Sequence, residues 1–241
     1  MKIVCLGSGN VATHLAKALK ASGADLIQVW SKTLANAQAL ANVLNSQAID
    51  NLAFIDPNAD LYLISVKDDA IAAVAAHLKG FRGLVVHTSG ATPMSVFEAL
   101  APANYGVLYP LQTFSKGREL EFKQIPLCLE AVNPQAMVNL RQLAESLSRQ
   151  VHVVNSADRK ILHLAAVYAC NFTNHLYHMA ATLLAEHHLS FDLLKPLIME
   201  TAEKVQGALP VDVQTGPALR NDEVTMQRHL DLIKDAPTLT Q

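Results

Sequence analysis

The sequence predicts an α/β fold in which a doubly wound, largely parallel sheet is followed by an all-helical domain. Short apolar runs alternate with helix-length stretches up to Val154, as in chains of βαβ units. A glycine-rich turn joins the first of these runs to the first helix. After Asn155 only helical patterns remain. We therefore predict one domain over residues 1–154 and a second, helical domain over residues 155–241.

The predicted elements follow in chain order. The strand candidates are Ile3–Leu6, Leu26–Trp30, Leu61–Val66, Leu84–His87, Tyr105–Leu108, Leu127–Ala131 and Val151–Val154. The helices between them include Val11–Ala21, Leu34–Leu44 and Ala70–Leu78. In the second domain a long helix is predicted from Ser156 to Leu189, a second over Phe191–Gln206, and a last one from near Asn221 to before Pro237.

Composition limits the function classes. The 241 residues are 51% hydrophobic and 17% charged, which allows a sizeable core and argues against disorder. A net charge of −2 without a basic run argues against nucleic-acid binding. No apolar run approaches the roughly 20 residues of a membrane span. We expect a soluble cytoplasmic protein with no metal site, in which Cys5, Cys128 and Cys170 are buried thiols.

The glycine-rich turn fits the pattern G-x-G-x-x-G/A. Its residues are Gly7, Ser8, Gly9, Asn10, Val11 and Ala12. The first glycine permits a tight turn, the second leaves room for a pyrophosphate, and the small third residue lets helix and strand pack closely. The following helix N-terminus favours phosphate charge. We therefore predict a Rossmann-type dinucleotide site, with a purely structural turn as the alternative.

The end of the second strand indicates which dinucleotide binds. NAD sites place Asp or Glu there, whereas this sequence has Ser31, Lys32 and Thr33. A lysine between two hydroxyl groups suits the 2′-phosphate of NADP(H). The alternative is a solvated lysine beside Ser31 as a helix cap. The missing acid also disfavours S-adenosylmethionine, whose ribose needs a similar partner.

Further candidates follow other strand ends, because ligands of open α/β sheets bind beyond the carboxyl ends of the strands. Val66 and Lys67 are expected to border the adenine and ribose, while Asp68 and Asp69 are expected to cap the next helix. The other candidates for the nicotinamide and substrate side are His87, Thr88, Ser89, Gly90, Gln112 and Thr113. For the first four, a capped turn is the alternative.

The long predicted helix carries a polar stripe. At 100° per residue, one face holds Lys160, His163, Asn171, Asn174 and His178. Amide and imidazole groups on a mostly buried helix need hydrogen-bond partners in other helices, a second subunit or a substrate. His163 is the candidate proton donor or acceptor. Asn171, Asn174 and Ser89 are expected to orient the substrate, and polar contacts in a helical interface are the alternative.

One loop near the C-terminus is rich in donors. Thr215-Gly216-Pro217 predicts a turn, and Arg220 precedes a helix start at Asn221 or Asp222. Arg220 could bind a substrate carboxylate or pair with Asp222. Thr225 and His229, one helical turn apart, are further substrate candidates. Arg220 and His229 could act in their own site or across a dimer.

Five segments together resemble a known family: GSGNVATHL, HTSGATP, YPLQTF, ACNFTNHL and TGPALRNDEVTMQRHL. They are similar to the Rossmann-like proteins described as NADP oxidoreductase, coenzyme F420-dependent-like, whose C-terminal helical domain has no assigned function. The resemblance covers nearly the whole chain. The last segment is the most family-specific and the glycine pattern the least.

The resemblance implies kinship with pyrroline-5-carboxylate reductase, ketopantoate reductase and 6-phosphogluconate dehydrogenase. It implies NADP(H) in the first domain, a second domain of 6-phosphogluconate dehydrogenase-like type, and a homodimer formed through residues after 155. F420 is a possible hydride partner on the family description alone. Several hydroxyacid dehydrogenases of this wider group use a helix lysine four residues before an asparagine. Here Val167 lies four residues before Asn171 and Cys170 four before Asn174, which argues against a lysine-based mechanism. Lys160 and His163 are the possible replacements.

The residues and the resemblance together predict an NADP(H)-dependent oxidoreductase. Hydride would pass to or from a small carbonyl or imine substrate, with His163 moving the proton. The rival prediction is a non-catalytic protein in which NADP(H) shifts a domain-closure equilibrium. An open pocket beside the glycine turn favours the enzyme.

Overall fold

The computed structural model describes residues 1–100 and 104–234, and of Ala99 and Leu100 only the backbone. In this part of the chain the strands form an eight-stranded sheet of order β3-β2-β1-β4-β5-β6-β7-β8. The strands are β1 Lys2–Leu6, β2 Asp25–Trp30, β3 Gln47–Ile49, β4 Leu61–Ile64, β5 Leu84–His87, β6 Tyr105–Pro110, β7 Leu127–Ala131 and β8 Val151–Val153. All neighbouring strands are parallel except β6 and β7. The predicted doubly wound sheet is therefore confirmed.

Helices follow most of the strands. They are α1 Asn10–Ala21, α2 Leu34–Leu44, α3 Ile71–Ala76, α4 Pro134–Leu147, α5 Ser156–Ala166, α6 Thr173–Glu186, α7 Lys195–Gly207 and α8 Glu223–Leu232. The sequence prediction missed β3, a three-residue edge strand with little apolar signal, and did not assign α4. Helix α4 begins at a clear signal, since Asn133 caps it by accepting from the Ala136 amide and Pro134 occupies its first turn.

The sheet is covered on both faces. One core joins apolar residues of α1, α2 and α4 to one side of the sheet, for example Leu15, Leu40 and Leu140. The other joins α3 and the segment around Phe97 to the opposite side, for example Ile64 and Val74. Because the central strands are buried on both faces, they read in the sequence as continuous apolar runs.

The chain divides into two compact units, Met1–Tyr168 and Ala169–Gln241. The predicted boundary near residue 154 coincides with the end of the last strand. The boundary between the compact units lies after Tyr168, because α5 contacts the sheet and belongs to the first unit. Asn155, rather than a residue of the Ser156–Asp158 segment, caps α5 by accepting from the Asp158 amide. The Arg159 guanidinium on α5 reaches Glu130 on β7.

The prediction of one uninterrupted α-helix after Ser156 is wrong. A π-helical segment, Val167–Phe172, separates α5 from α6. A π turn accommodates more residues than an α turn, so the count of 100° per residue does not carry from His163 to Asn174 or His178. The single polar stripe drawn from that count is therefore not a feature of the folded helix.

The second unit has a different surface from the first. In its described residues, up to 234, no side chain is buried by this chain alone. Leucines such as Leu176, Leu193 and Leu197 are more than half exposed. Cys170 is exposed as well, which corrects the expectation of three buried thiols, although Cys5 and Cys128 are buried. Among the described helices, none combines the length and apolar character of a membrane span.

Candidate active site

The glycine turn is shaped for a ligand. Gly7 has a φ of +134°, and a Cβ there would lie 2.1 Å from the Ser65 carbonyl oxygen, so only glycine fits. Gly9 has a φ of −73°, and a Cβ there would meet nothing within 4 Å. The second glycine thus leaves open space over the start of α1, where the backbone N–H groups of a helix favour phosphate.

The buried thiol of Cys5 lies next to the glycine turn. Cys5 Sγ donates to the Gly7 carbonyl oxygen at 3.5 Å. Burial raises the pKa of the Cys5 thiol to about 12, so the thiol stays protonated. Cys5 therefore supports the turn and is not a nucleophile.

A cavity of about 830 Å³ opens above the carboxyl ends of β1, β4, β5 and β6. Its volume falls in the range of cofactor and small-molecule sites. The predicted residues that line it are Gly7, Ser8, Gly9, Asn10, Val11, Ser31, Lys32, Val66, Lys67, Thr88, Ser89, Gly90, Gln112 and His163. It lies where the strand order reverses between β1 and β4, the usual ligand position in such sheets.

Two of the three residues predicted for the phosphate corner, Ser31 and Lys32, line the cavity at the end of β2. Ser8 Oγ donates to Ser31 Oγ at 2.9 Å, which joins the glycine turn to the β2 end. Lys32 lies beside it, is exposed and lines the cavity. Thr33 is the N-cap residue of α2 and is not among the lining residues. The arrangement offers one cation, Lys32, and the Ser31 hydroxyl hydrogen to an anion.

Two aspartates near this corner do not act as predicted. Asp68 and Asp69 lie in a short 3₁₀ turn, Asp68–Ala70, and both line the cavity. Helix α3 starts after Ala70 without a side-chain capping bond. The capping prediction for Asp68 and Asp69 is therefore wrong, because the intervening turn moves them off the N-terminus of α3.

The loop after β5 is held by its own polar groups. Ser89 Oγ accepts from the amides of Ala91 and Thr92, at 3.1 and 2.9 Å, so its hydrogen is available to a ligand in the cavity. Thr88 Oγ1 donates to Ser65 Oγ at 3.1 Å. The loop therefore presents the Ser89 hydroxyl from a fixed backbone.

His87 does not line the cavity, which corrects its place among the substrate candidates. Its side chain is fully buried and packs against Phe97. His87 Nδ1 accepts from the Ser89 amide at 3.2 Å. Burial, helped by the nearby Arg159 charge, lowers the pKa of His87 to about 3, with the Pro93 carbonyl acting in the opposite direction. His87 is thus a neutral support for the loop.

His163 lies in the cavity wall in contact with a residue that the sequence analysis did not select. The Tyr109 hydroxyl and His163 Nδ1 are 3.0 Å apart, and their rings meet edge to face. Tyr109 stands near the end of β6 and lines the cavity. A Cβ at Gly90 would lie 2.7 Å from His163 Nδ1 and 2.8 Å from Tyr109 Cζ. The small residue at position 90 therefore lets the two rings meet.

A segment after β6 is tied to the start of α1. Asn10 Nδ2 donates to the Phe114 carbonyl at 2.8 Å, and His14 Nε2 lies 2.9 Å from the Ser115 carbonyl. These contacts fix the stretch that carries Gln112, which lines the cavity, and Thr113, which does not. Part of the predicted role of Asn10 is therefore structural.

Lys160 on α5, the other predicted replacement for a catalytic lysine, is exposed and does not line the cavity. The other predicted residues lie in the second unit. Asn171 is an exposed residue of the π segment, and Asn174 is exposed on α6. Asp222 caps α8 by accepting from the Thr225 amide at 3.1 Å, which confirms one of the two predicted helix starts. Arg220 and His229 are exposed, and no ion pair joins Arg220 to Asp222 in the described residues.

A second concavity lies at the opposite edge of the sheet. It has a volume of about 720 Å³, lies at the amino ends of β4 and β5 and includes Asp60, Arg82 and Asn104. Open sheets bind ligands at the carboxyl ends of the strands instead. Within residues 1–100 and 104–234, no three His, Cys, Asp or Glu side chains are grouped to hold a metal ion.

The comparisons with known proteins identify the family. A putative NADP oxidoreductase, BF3122 from Bacteroides fragilis, is 44% identical to this chain, with 99% of this chain and 93% of that one covered and a TM-score of 0.93. The chain belongs to the NADP oxidoreductase family. The family model described as NADP oxidoreductase, coenzyme F420-dependent, matches residues 2–88 of this family member. A domain of unknown function, DUF2520, matches residues 125–241.

More distant structures share the fold of this NADP oxidoreductase. 1-Pyrroline-5-carboxylate reductase from Streptococcus pyogenes is 14% identical, with 100% of this chain and 94% of that one covered and a TM-score of 0.69. An imine reductase from Myxococcus stipitatus, in complex with NADP⁺, is 17% identical, with 98% and 87% covered and a TM-score of 0.67. No curated protein matches the chain significantly in sequence.

Proposed function

We propose that the protein reduces a small imine or carbonyl compound with NADPH, or runs the reverse reaction, with His163 moving the proton. The observation that carries this proposal is one cavity that joins an open glycine turn and Lys32 to the Tyr109–His163 pair. An anion-binding end and a proton-transfer group in one cavity are what such a reductase needs.

The residues present fit NADP(H). The open space at Gly9 would take the pyrophosphate, and Lys32 with Ser31 would hold the 2′-phosphate. Val66 and Lys67 would border the adenosine half, and Thr88 would face the cofactor from β5. When bound, the nicotinamide supplies or accepts the hydride. The Lys32 corner supports NADP(H) over F420, which the family description also names.

In this mechanism the side chains around His163 determine which ring nitrogen exchanges a proton with the substrate. Nδ1 of His163 is engaged with the Tyr109 hydroxyl, so Nε2 is the ring nitrogen that gives or takes the substrate proton. The Ser89 hydroxyl, whose oxygen already accepts two amides, donates toward the cavity. Gln112 offers an amide from another wall. In the second unit, Asn171, Asn174, Arg220, Thr225 and His229 remain proposed substrate contacts.

The reaction is tested by following NADPH absorbance during a screen of cyclic imines and 2-oxo acids. We expect one class to turn over, and His163→Ala to lower kcat about 100-fold. His152→Ala, which removes an exposed histidine of the same unit, is the matched control. Full activity of the His163→Ala variant would remove His163 from the mechanism. NADPH binding without turnover of any candidate would favour a non-catalytic NADP(H)-responsive protein.

We infer that the protein works as a homodimer through its second unit. The supporting observation is that the described part of this unit buries none of its side chains, while Leu176, Leu193, Leu197 and Met199 are at least 60% exposed. A helical unit with so many exposed leucines is typical of an obligate interface. The resemblance implies the same assembly.

We infer a cytoplasmic location. The supporting observation is the set of three free cysteines, Cys5, Cys128 and Cys170, since unpaired thiols suit a reducing compartment. Fractionation of cells that make the protein, followed by thiol labelling, tests this inference. Recovery in an oxidising compartment would contradict it.

A further inference from the structure

A buried ionic cluster lies next to the proposed proton-transfer pair and plays no part in the mechanism above. Arg159 on α5 is fully buried, and its Nη1 donates to Glu130 Oε2 on β7 at 2.5 Å. Its Nη2 donates to the Thr92 carbonyl at 2.8 Å and to Ser156 Oγ at 3.2 Å. A buried arginine is costly unless such partners satisfy it, so the cluster needs an explanation.

Ser156 completes the cluster. Its hydroxyl donates to Glu130 Oε2 at 2.7 Å and accepts from the Met94 amide at 2.9 Å. The cluster therefore ties three separate segments together: the first turns of α5, strand β7 and the loop after β5. Glu130 pairs with Val107 across the antiparallel β6–β7 ladder, so it is held by the sheet itself.

These segments also carry the proposed active groups. His163 follows Arg159 by four residues on α5, which is one helical turn on the same face. Thr92, which accepts from Arg159, is held by Ser89 Oγ, and Ser89 lines the cavity. Tyr109, the partner of His163, lies on β6 beside β7. A shift of α5 against β6 would therefore separate His163 from Tyr109.

We propose that Arg159 and Glu130 are positioning residues that fix His163 against Tyr109 and hold the Ser89 loop for the reaction. This proposal rests on the proposed function for its kinetic consequence, but its structural consequence stands apart from turnover. A merely stabilising pair would be replaceable by apolar side chains of similar volume. A positioning pair is not, because apolar groups do not reproduce the hydrogen bonds to Thr92 and Ser156.

The test uses the double variant Arg159→Met, Glu130→Leu, which removes both charges together and leaves none unpaired. The matched control is Arg141→Met, Glu145→Leu, which removes an exposed arginine–glutamate pair on α4. Three quantities are measured in the full chain: NADPH affinity, the ¹⁵N chemical shift of His163 Nδ1, and kcat against KM on the substrate found in the screen. The Nδ1 signal is assigned with His163→Gln.

We expect the double variant to bind NADPH within about twofold of the parent, because Lys32 and the glycine turn are not part of the cluster. Its Nδ1 shift changes as the Tyr109 hydrogen bond is lost, and kcat falls about 10- to 100-fold with little change in KM. The control variant keeps all parental values. Parental Nδ1 shift and kcat in the double variant would overturn the proposal.

Arg159→Lys provides a second test if the double variant does not fold. It retains the charge toward Glu130 but lacks the planar fork that reaches three partners. We expect a folded protein with an altered Nδ1 shift and a kcat between those of the parent and the double variant. A parental Nδ1 shift in this variant would contradict positioning. Because the shift is read without turnover, failure of the proposed reaction leaves this result interpretable.

Discussion

The two units of this chain differ in how far they bury their apolar side chains. The first unit covers both faces of its sheet and buries long side chains such as Leu15, Leu63 and Phe97 completely. In the second, the described helices expose Leu193 to 68% and Leu197 to 62%. Exposed apolar surface of that kind is typical of a site that another molecule covers. The predicted cofactor-site residues that line the cavity all lie in the first unit, whereas the proposed dimer interface lies on the second.

The largest effect is expected from a substitution in the glycine turn of the first unit. Gly7→Val places a Cβ where the Ser65 carbonyl lies, at a φ of +134°. We expect a loss of about 3 kcal/mol or more in unfolding free energy and no measurable NADPH binding, by calorimetry and titration. Gly23→Ala is the control, since its φ is +92° but a Cβ there meets nothing within 4 Å. If both variants lose stability equally, the close approach to Ser65 is not what requires glycine.

The second prediction concerns the exposed apolar face of the second unit. If the proposed homodimer forms through the second unit, Leu197→Asp converts it to monomer and reduces the helical circular dichroism signal, at a cost of roughly 2–4 kcal/mol. The control is Val43→Asp, because Val43 is 61% exposed on α2 of the first unit. Light scattering after size-exclusion chromatography gives the mass. A parental mass for Leu197→Asp would show that α7 is not in the interface.

The third effect is a pH dependence that belongs to the first unit alone. The pKa of His87 falls from 6.5 to about 3 on folding, chiefly through burial. The unfolded chain therefore binds a proton between these values that the folded chain does not, so stability falls as pH drops from about 6.5 toward 3. The slope contributed is at most about 1.4 kcal/mol per pH unit.

This dependence is measured by urea unfolding at a series of pH values. In His87→Asn the part of the slope below pH 6.5 that comes from this group should vanish. An unchanged slope would mean that His87 becomes protonated in the folded protein. The variant also tests whether the loop after β5 needs the Nδ1 contact to the Ser89 amide.

Local sequence patterns predict most of the strands and cavity residues of the first unit. The glycine pattern and the Ser31–Lys32 stretch are contiguous in sequence, so their place around the cavity could be predicted. Leu84–His87 and Leu127–Ala131 have the predicted bounds because both are buried apolar runs. Residues that meet across the fold gave no such signal. Tyr109 and His163 are 54 positions apart, and Arg159 and Glu130 are 29 apart.

The errors have physical causes as well. A π turn leaves no mark in hydrophobic periodicity, so the single helical count failed at Val167–Phe172. A position at the end of β5 predicts that His87 lies at the cavity, yet its side chain turns into the core and packs against Phe97. The apolar segment around Cys170 predicts a buried thiol, whereas Cys170 is exposed in the single chain.

The most direct test of the proposed NADP(H) preference is a titration of the protein with NADPH and with NADH. Trp30, the only tryptophan, lines the cavity beside Lys32, so its fluorescence reports on binding. We expect NADPH to bind about 10- to 100-fold more tightly than NADH, and Lys32→Glu to remove that preference, a change of roughly 1.4–2.7 kcal/mol. Equal binding of both nucleotides by the parent protein, or an unchanged preference in Lys32→Glu, would contradict the assignment of the phosphate corner.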